Sequence, residues 1–137
     1  MLFATPTPFT GLICYTFRMT QNDTLQPKKT NVDPKIIAIV KKYLASVEEN
    51  NMRVQDAYIF GSQVTGDAHE SSDIDLCIVS SDFHHPFEDG VALAKIAAQD
   101  NETLNIEPHV ITSEDFANPY SHFSYTVKTT GVQVSLA

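Results

Sequence analysis

The sequence predicts an α/β fold in which a small β-sheet is flanked by helices. Three observations indicate this class. Apolar residues recur with a helical period between residues 36 and 47. Two short apolar runs, at residues 58–60 and 76–79, have the length and composition of buried strands. Turn-forming and polar stretches separate these segments, so helix-like and strand-like patterns alternate along the chain.

The first part of the chain is predicted to lie outside this fold. Residues 1–32 have the character of a disordered N-terminal extension, and Met19 is a candidate for the natural translation start. The apolar patches before it lack a preceding Lys or Arg and are interrupted by Pro6 and Pro8, which is a poor pattern for a secretory signal. We therefore expect one folded domain at residues 33–137, a size that suits a single hydrophobic core.

The first helix is predicted from its start signals. Asp33 can cap it and Pro34 suits the first helical position, where a missing N–H costs nothing. The helix is expected to end around Asn50 and Asn51, which favour a turn. The elements that follow are predicted as a strand at 53–60, a short helix at 62–66, a strand at 74–80, a helix at 87–99, a strand at 104–111, a short helix from Ser113, a helix at 122–130 ended by Gly131, and a short strand at 132–136.

Two residues refine this order. Pro108 lies inside the third predicted strand, and proline cannot donate to a β-ladder, so that strand is expected at a sheet edge or with a bulge. Ser113 is a plausible cap for the short helix that follows it.

Charge and composition exclude some functions. The formal net charge is −8 at pH 7, which argues against a broad basic face that captures DNA or RNA. A nucleotide substrate remains compatible, because Mg²⁺ neutralises both phosphates and carboxylates. No segment approaches the ~18 consecutive apolar residues of a membrane span. Cys77 lies within an apolar run, and a buried thiol in a reducing cytosol is the expected reading, so we predict a cytoplasmic protein.

The most informative pattern is Gly61-Ser62, followed ten residues later by Asp73-Ile74-Asp75. Because side chains alternate along a strand, Asp73 and Asp75 are expected to share a face. Two carboxylates held side by side repel each other, so a hard divalent cation is expected between them. The Gly-Ser turn supplies backbone N–H groups that suit a phosphate. Metal and phosphate together indicate nucleotide chemistry.

A third carboxylate lies in the third predicted strand. If that strand neighbours the second, Glu107 is about one strand spacing, ~4.8 Å, from the aspartate pair. The three carboxylates then form a cage for one or two Mg²⁺ ions, which clamp a triphosphate and lower the pKa of an attacking hydroxyl. Glu107 is also a candidate proton acceptor. His109 shares its face, either as a second-shell or substrate contact or as a structural edge histidine.

This order of motifs resembles the minimal nucleotidyltransferase (MNT) branch of the DNA polymerase β-like nucleotidyltransferase superfamily. The resemblance extends over residues 35–134 and includes the strings at 106–109, 113–116 and 130–134. It implies a small mixed β-sheet flanked by helices and transfer of a nucleoside monophosphate, AMP by preference, from an NTP such as ATP to an acceptor hydroxyl. It also implies that Gly61 and Ser62 bind the triphosphate, and that Asp73, Asp75 and Glu107 carry two Mg²⁺ ions.

The same resemblance implies a partner. Members of this branch often pair with a small helical HEPN protein as its antitoxin, and some transfer AMP to it. A HEPN-type partner or a homodimer mate is therefore expected to present the acceptor, with a small molecule such as an aminoglycoside as the next choice. One departure from the pattern of this branch favours a second function, that of a non-catalytic antitoxin-like subunit that neutralises a partner by binding it. Gln63 stands where many members have an arginine that meets the phosphates, leaving Lys128 or a partner's basic residue to replace it.

Overall fold

The computed structural model describes residues 32–136, so the predicted extension and the Met19 start lie outside the described residues, apart from Val32. This part of the chain contains five helices and four strands. The helices are α1 (Pro34–Glu49), α2 (Ser62–Thr65), α3 (Pro86–Ala97), α4 (Ser113–Ala117) and α5 (His122–Thr130). The strands are β1 (Asp56–Phe60), β2 (Ile74–Val79), β3 (Ile106–Ile111) and β4 (Val132–Gln133).

The four strands form one mixed sheet in the order β3-β2-β1-β4. β1 pairs antiparallel with both β2 and β4, whereas β2 and β3 run parallel. The α/β class with a small mixed sheet is therefore confirmed. Pro108 lies in β3 at one edge of the sheet, as predicted from its missing N–H.

Each face of the sheet packs against different helices. One face buries side chains from β1, β2 and β3 against apolar residues of α1 and α3. A central contact there is a hydrogen bond of 2.8 Å that the Tyr43 hydroxyl of α1 donates to the Leu93 carbonyl of α3. The other face packs against α4 and α5 around a second buried cluster, which contains Cys77, Val79, Phe116 and Val127. Burial raises the pKa of the Cys77 thiol to about 12, as expected for an inert core residue.

The ends of the elements follow from local chemistry, with some corrections to the predicted limits. Asp33 accepts a hydrogen bond of 2.9 Å from the Lys35 N–H, which confirms it as the α1 cap. The α4 cap is Thr112 rather than Ser113, because the Thr112 hydroxyl accepts from the Asp115 N–H. The predicted strands are longer than the observed ones, since β1 begins at Asp56, β3 begins at Ile106 and β4 ends at Gln133.

Gly131 ends α5 as predicted, but its backbone is extended rather than left-handed. The reason for glycine is steric. A Cβ at this position would lie 2.6 Å from the Val127 carbonyl oxygen and 3.2 Å from that of Ile59. Glycine therefore lets the end of α5 lie directly against β1. None of the helices in residues 32–136 combines the length and the apolar character that crossing a membrane requires.

Candidate active site

The register of the parallel β2–β3 pair brings two predicted site residues together. Asp75 is paired with Glu107, and two residues further along the strands Cys77 is paired with His109. On the other side of β2, Asp75 is paired with Phe60, the last residue of β1. Asp75, Glu107 and His109 each present a ligand atom within 4.8 Å of the others. The prediction that the third strand lies beside the second is thus confirmed.

The two carboxyl groups of this cluster perturb each other. The pKa of Glu107 is raised above its usual value, first by a side-chain hydrogen bond with Asp75 and then by partial loss of hydration. The charges of Asp75 and Asp73 add to the increase, and the charge of His109 opposes it. Two carboxyl groups held side by side offer oxygen ligands for a cation, which would relieve their mutual repulsion. The residues present therefore fit a divalent metal ion.

Asp73 occupies a different position. It lies in the loop immediately before β2, and its side chain is exposed. Among the described residues, the close-packed ligand group contains Asp75, Glu107 and His109 but not Asp73. Its backbone carbonyl accepts a hydrogen bond of 3.3 Å from the Gln63 side-chain amide, which links the loop to α2. The metal-binding role of Asp73 remains a prediction.

Gly61 contributes to the site through its backbone. Its φ of 78° and ψ of −145° belong to a region that side-chain-bearing residues rarely adopt. A Cβ at this position would overlap the Asp75 Oδ2 atom and lie 3.3 Å from its Cγ. Glycine thus allows the β1–α2 turn to lie directly against the Asp75 carboxylate. The sequence pattern indicated a turn here, but it gave no sign of this contact.

Ser62 begins α2 and is half-buried. It borders a cleft of about 650 Å³ between the start of α1, α2 and the loops before β2 and β3. Lys35 lines this cleft and brings a cation near Ser62 that the sequence spacing could not reveal. Three carboxylates line it as well, so its charge is net negative: Asp33, Glu70 and Glu102.

Aromatic packing fixes the histidine of the cluster. The His109 ring lies 5.1 Å from the Phe60 ring in an edge-to-face arrangement and 6.1 Å from the Phe123 ring of α5. Its Nε2 atom is 3.4 Å from Asp75 Oδ1. Lys128, predicted as a replacement phosphate contact, instead places its ammonium 4.7 Å from the centre of the Phe116 ring.

A family comparison agrees with this geometry. A model described as a nucleotidyltransferase domain matches residues 40–129, which is well over half of the chain. The chain belongs to the nucleotidyltransferase domain family. The matched stretch runs from within α1 to within α5 and contains Gly61, Ser62, Asp73, Asp75 and Glu107. The resemblance inferred from the motifs is therefore confirmed at the level of the superfamily.

The fold agrees as well. The nucleotidyltransferase domain is similar in structure to a protein from Sulfolobus solfataricus that carries a provisional nucleotidyltransferase assignment. The match has a TM-score of 0.53 and 20% sequence identity, and it covers 77% of this chain and 86% of the other. At this identity the similarity shows a shared fold. No curated protein matches the chain at a significant level.

Proposed function

We propose that this nucleotidyltransferase domain transfers a nucleoside monophosphate, AMP in the first instance, from an NTP to an acceptor hydroxyl, with Mg²⁺ as the expected cation. The observation that carries the proposal is the pairing of Asp75 with Glu107 across β2 and β3, directly beside the Gly61 turn. Family membership supports the reaction class, and the proximity of the two carboxyl groups supports the cation.

The roles of the residues follow from their positions. Asp75 and Glu107 would hold the cation with carboxylate oxygens, and Asp73 at the start of β2 would complete a site for two ions. A divalent ion bound there would neutralise the triphosphate and lower the pKa of the attacking hydroxyl. Gly61 and Ser62 would hold the triphosphate through the backbone N–H groups and hydroxyl of their turn.

The proposed step exchanges one phosphorus–oxygen bond for another. The acceptor oxygen attacks the α-phosphorus of the NTP and forms a new ester bond. The bond from the α-phosphorus to the bridging oxygen breaks, and pyrophosphate leaves with the electron pair. Glu107, held beside Asp75, accepts the proton of the hydroxyl.

The acceptor we propose is a hydroxyl on a HEPN-type partner protein, because the resemblance to the minimal branch implies that pairing. The cleft beside Ser62 adds a physical preference. Its lining contains three carboxylates and the single ammonium of Lys35, so it favours a partner surface that carries basic residues.

One observation favours a second function, an antitoxin-like subunit that acts by binding alone. Gln63 replaces the arginine found in many members of the branch, and its amide is already hydrogen-bonded to the Asp73 carbonyl. The stretch 63–66 therefore supplies no cation to a triphosphate. In this alternative the chain neutralises its partner by covering a surface, and the carboxyl pair is not used for transfer.

Labelled ATP separates the two functions. The full chain would be incubated with α-phosphate-labelled ATP, Mg²⁺ and the product of the neighbouring gene. We expect label on the partner, and we expect Asp75→Asn and Glu107→Gln to abolish it. Glu48→Gln, which changes an exposed carboxylate at the far end of α1, should label as the unmodified chain does. If no label transfers and Asp75→Asn still binds and neutralises the partner, the binding function is correct.

A further inference from the structure

The carboxyl pair of the proposed metal centre is accompanied by a nitrogen donor. The His109 imidazole lies in the same group as Asp75 and Glu107, with all three ligand atoms within 4.8 Å of one another. Carboxylates alone suit hard ions such as Mg²⁺ and Mn²⁺, whereas an imidazole suits ions such as Zn²⁺ and Cu²⁺. The composition of the group therefore bears on which ion it selects.

The distance between His109 and Asp75 also bears on which ion the group selects. His109 Nε2 lies 3.4 Å from Asp75 Oδ1, which is long for a hydrogen bond, since these usually span ~2.7–3.2 Å. Two donors that each lie about 2.1 Å from a tetrahedral ion are separated by roughly 3.4 Å. Neighbouring donors on an octahedral Mg²⁺ are closer, at roughly 2.9 Å. The observed separation equals the one that two ligands of a tetrahedral ion such as Zn²⁺ would have.

The ring is held in this position before any ion arrives. Phe60 packs edge-to-face against it, and Phe123 lies 6.1 Å from it and 5.5 Å from Phe60, so the three rings form one cluster in which β1 and α5 both restrict the rotation of the imidazole. The side chains of His109 and Asp75 are 36% and 27% exposed, which leaves an open approach from solvent. An aromatic or aliphatic side chain could fill the same space. Only an imidazole also presents a ligand atom to Asp75.

From these contacts we propose that His109 is a metal ligand and that the centre binds an imidazole-preferring ion of the Zn²⁺ class in preference to Mg²⁺. The inference rests on the proposed function only for the location of the centre. Asp75, Glu107 and His109 are three protein ligands, which leaves further coordination positions for water or substrate phosphate, as in catalytic metal sites. The preferred ion thus differs from the Mg²⁺ that three carboxylates alone would favour.

The decisive measurement detects the nitrogen directly. Cu²⁺, a paramagnetic ion that also suits imidazole, is bound at one equivalent to the full chain without nucleotide, and pulsed EPR measures the coupling of the ion to ¹⁴N. We expect a histidine-type coupling that disappears in His109→Gln and in His109→Phe, which keeps an aromatic ring beside Phe60 and Phe123. His122→Gln, which alters an exposed histidine on α5, should retain it. Failure of Cu²⁺ to bind, or a ¹⁴N coupling that both His109 variants retain, overturns the inference.

Competition between ions gives a second test. In titrations of the metal-free chain, His109→Gln should weaken Zn²⁺ binding by at least about 10-fold and change Mg²⁺ binding by less than about three-fold. If both ions weaken equally, His109 only orients Asp75 through a hydrogen bond, and the inference is wrong. Circular dichroism of each variant shows whether the fold is intact.

These results are independent of transfer activity. Nitrogen coupling without any label transfer would support His109 as a metal ligand and contradict the proposed transfer reaction. Label transfer by a chain whose bound Cu²⁺ shows no nitrogen coupling would support the proposed reaction and overturn the assignment of His109 as a metal ligand.

Discussion

Glu107 is paired with Asp75 across the parallel β2–β3 pair, and interaction with the Asp75 side chain is the largest cause of the raised pKa of Glu107. Two carboxylates in this position repel each other once both are ionised. The strain is electrostatic and local, and either a proton or a metal ion relieves it. The pH dependence of stability is therefore a direct probe of the pair.

We expect Glu107 to stabilise the metal-free chain at low pH only. Its pKa is raised above the usual 4.5, so its contribution is complete below that value and is lost as the pH rises through the higher folded pKa. The melting temperature of the unmodified chain minus that of Glu107→Gln should fall as the pH rises from about 4.5, measured in a chelator. A saturating divalent ion at pH 7 should reverse the loss. A difference that grows with pH in the chelator would contradict this.

Gly61→Ala should damage both the fold and the metal centre. The new methyl group would overlap Asp75 Oδ2, and the backbone conformation is strained for alanine, which together should cost about 1–3 kcal/mol. Gly66→Ala is the matched control, because Gly66 also has a positive φ but has open space around it. Urea unfolding and metal titration would measure both variants. Equal metal affinity in the two would show that the contact with Asp75 is unimportant.

Gly131→Ala should destabilise the chain by about 1–3 kcal/mol through overpacking, although its φ is unstrained. Its Cβ has no room between α5 and β1. Gly90→Ala should do the opposite and stabilise by roughly 0.5–1 kcal/mol, because Gly90 lies within α3 and its nearest contact would be 3.8 Å away, at Val110 Cγ2. Urea unfolding should therefore give changes of opposite sign.

Tyr43→Phe should cost about 1–2 kcal/mol, because it leaves the buried Leu93 carbonyl without its side-chain donor. Burial raises the pKa of Tyr43, which keeps the hydroxyl protonated as a donor. Tyr120→Phe removes a hydroxyl that is 93% exposed and should change stability by less than about 0.5 kcal/mol. Comparable effects of the two substitutions in urea unfolding would show that the α1–α3 hydrogen bond contributes little.

Much of the fold was predictable because its signals are local. Asp33 and Pro34 mark the start of α1 through capping chemistry that involves only adjacent residues. Pro108 predicted an edge position for its strand, because proline lacks a backbone N–H whatever its surroundings. The proximity of Glu107 to Asp75 needed two further assumptions, that the two strands are neighbours and that their register pairs these two residues.

The remaining features depend on contacts between distant parts of the chain. His109 reaches Asp75 because the register pairs Cys77 with His109, and no sequence pattern fixes a register between strands 30 residues apart. Gly131 was predicted as a helix end, but the close approach of β1 that requires glycine becomes visible only in the assembled sheet. Lys35 lines the cleft beside Ser62 because of where α1 packs. The helical period of the sequence predicts α1 but not its position in the fold.

The position of Pro108 has a consequence for the behaviour of the protein at high concentration. The Asn105 and Ile111 carbonyls accept hydrogen bonds from the N–H groups of Ile74 and Ser80, at the two ends of β2. The backbone N–H and C=O groups of the alternate residues 106, 108 and 110 therefore point away from β2, toward the open edge. The Ile106 N–H is already bonded to the Thr103 carbonyl, and Pro108 has none, which leaves Val110 as the outward donor of the strand. A second chain that approached this edge would find a single backbone donor, that of Val110, where a regular strand offers one at every second residue. The edge is thereby protected against the strand-to-strand association that begins aggregation.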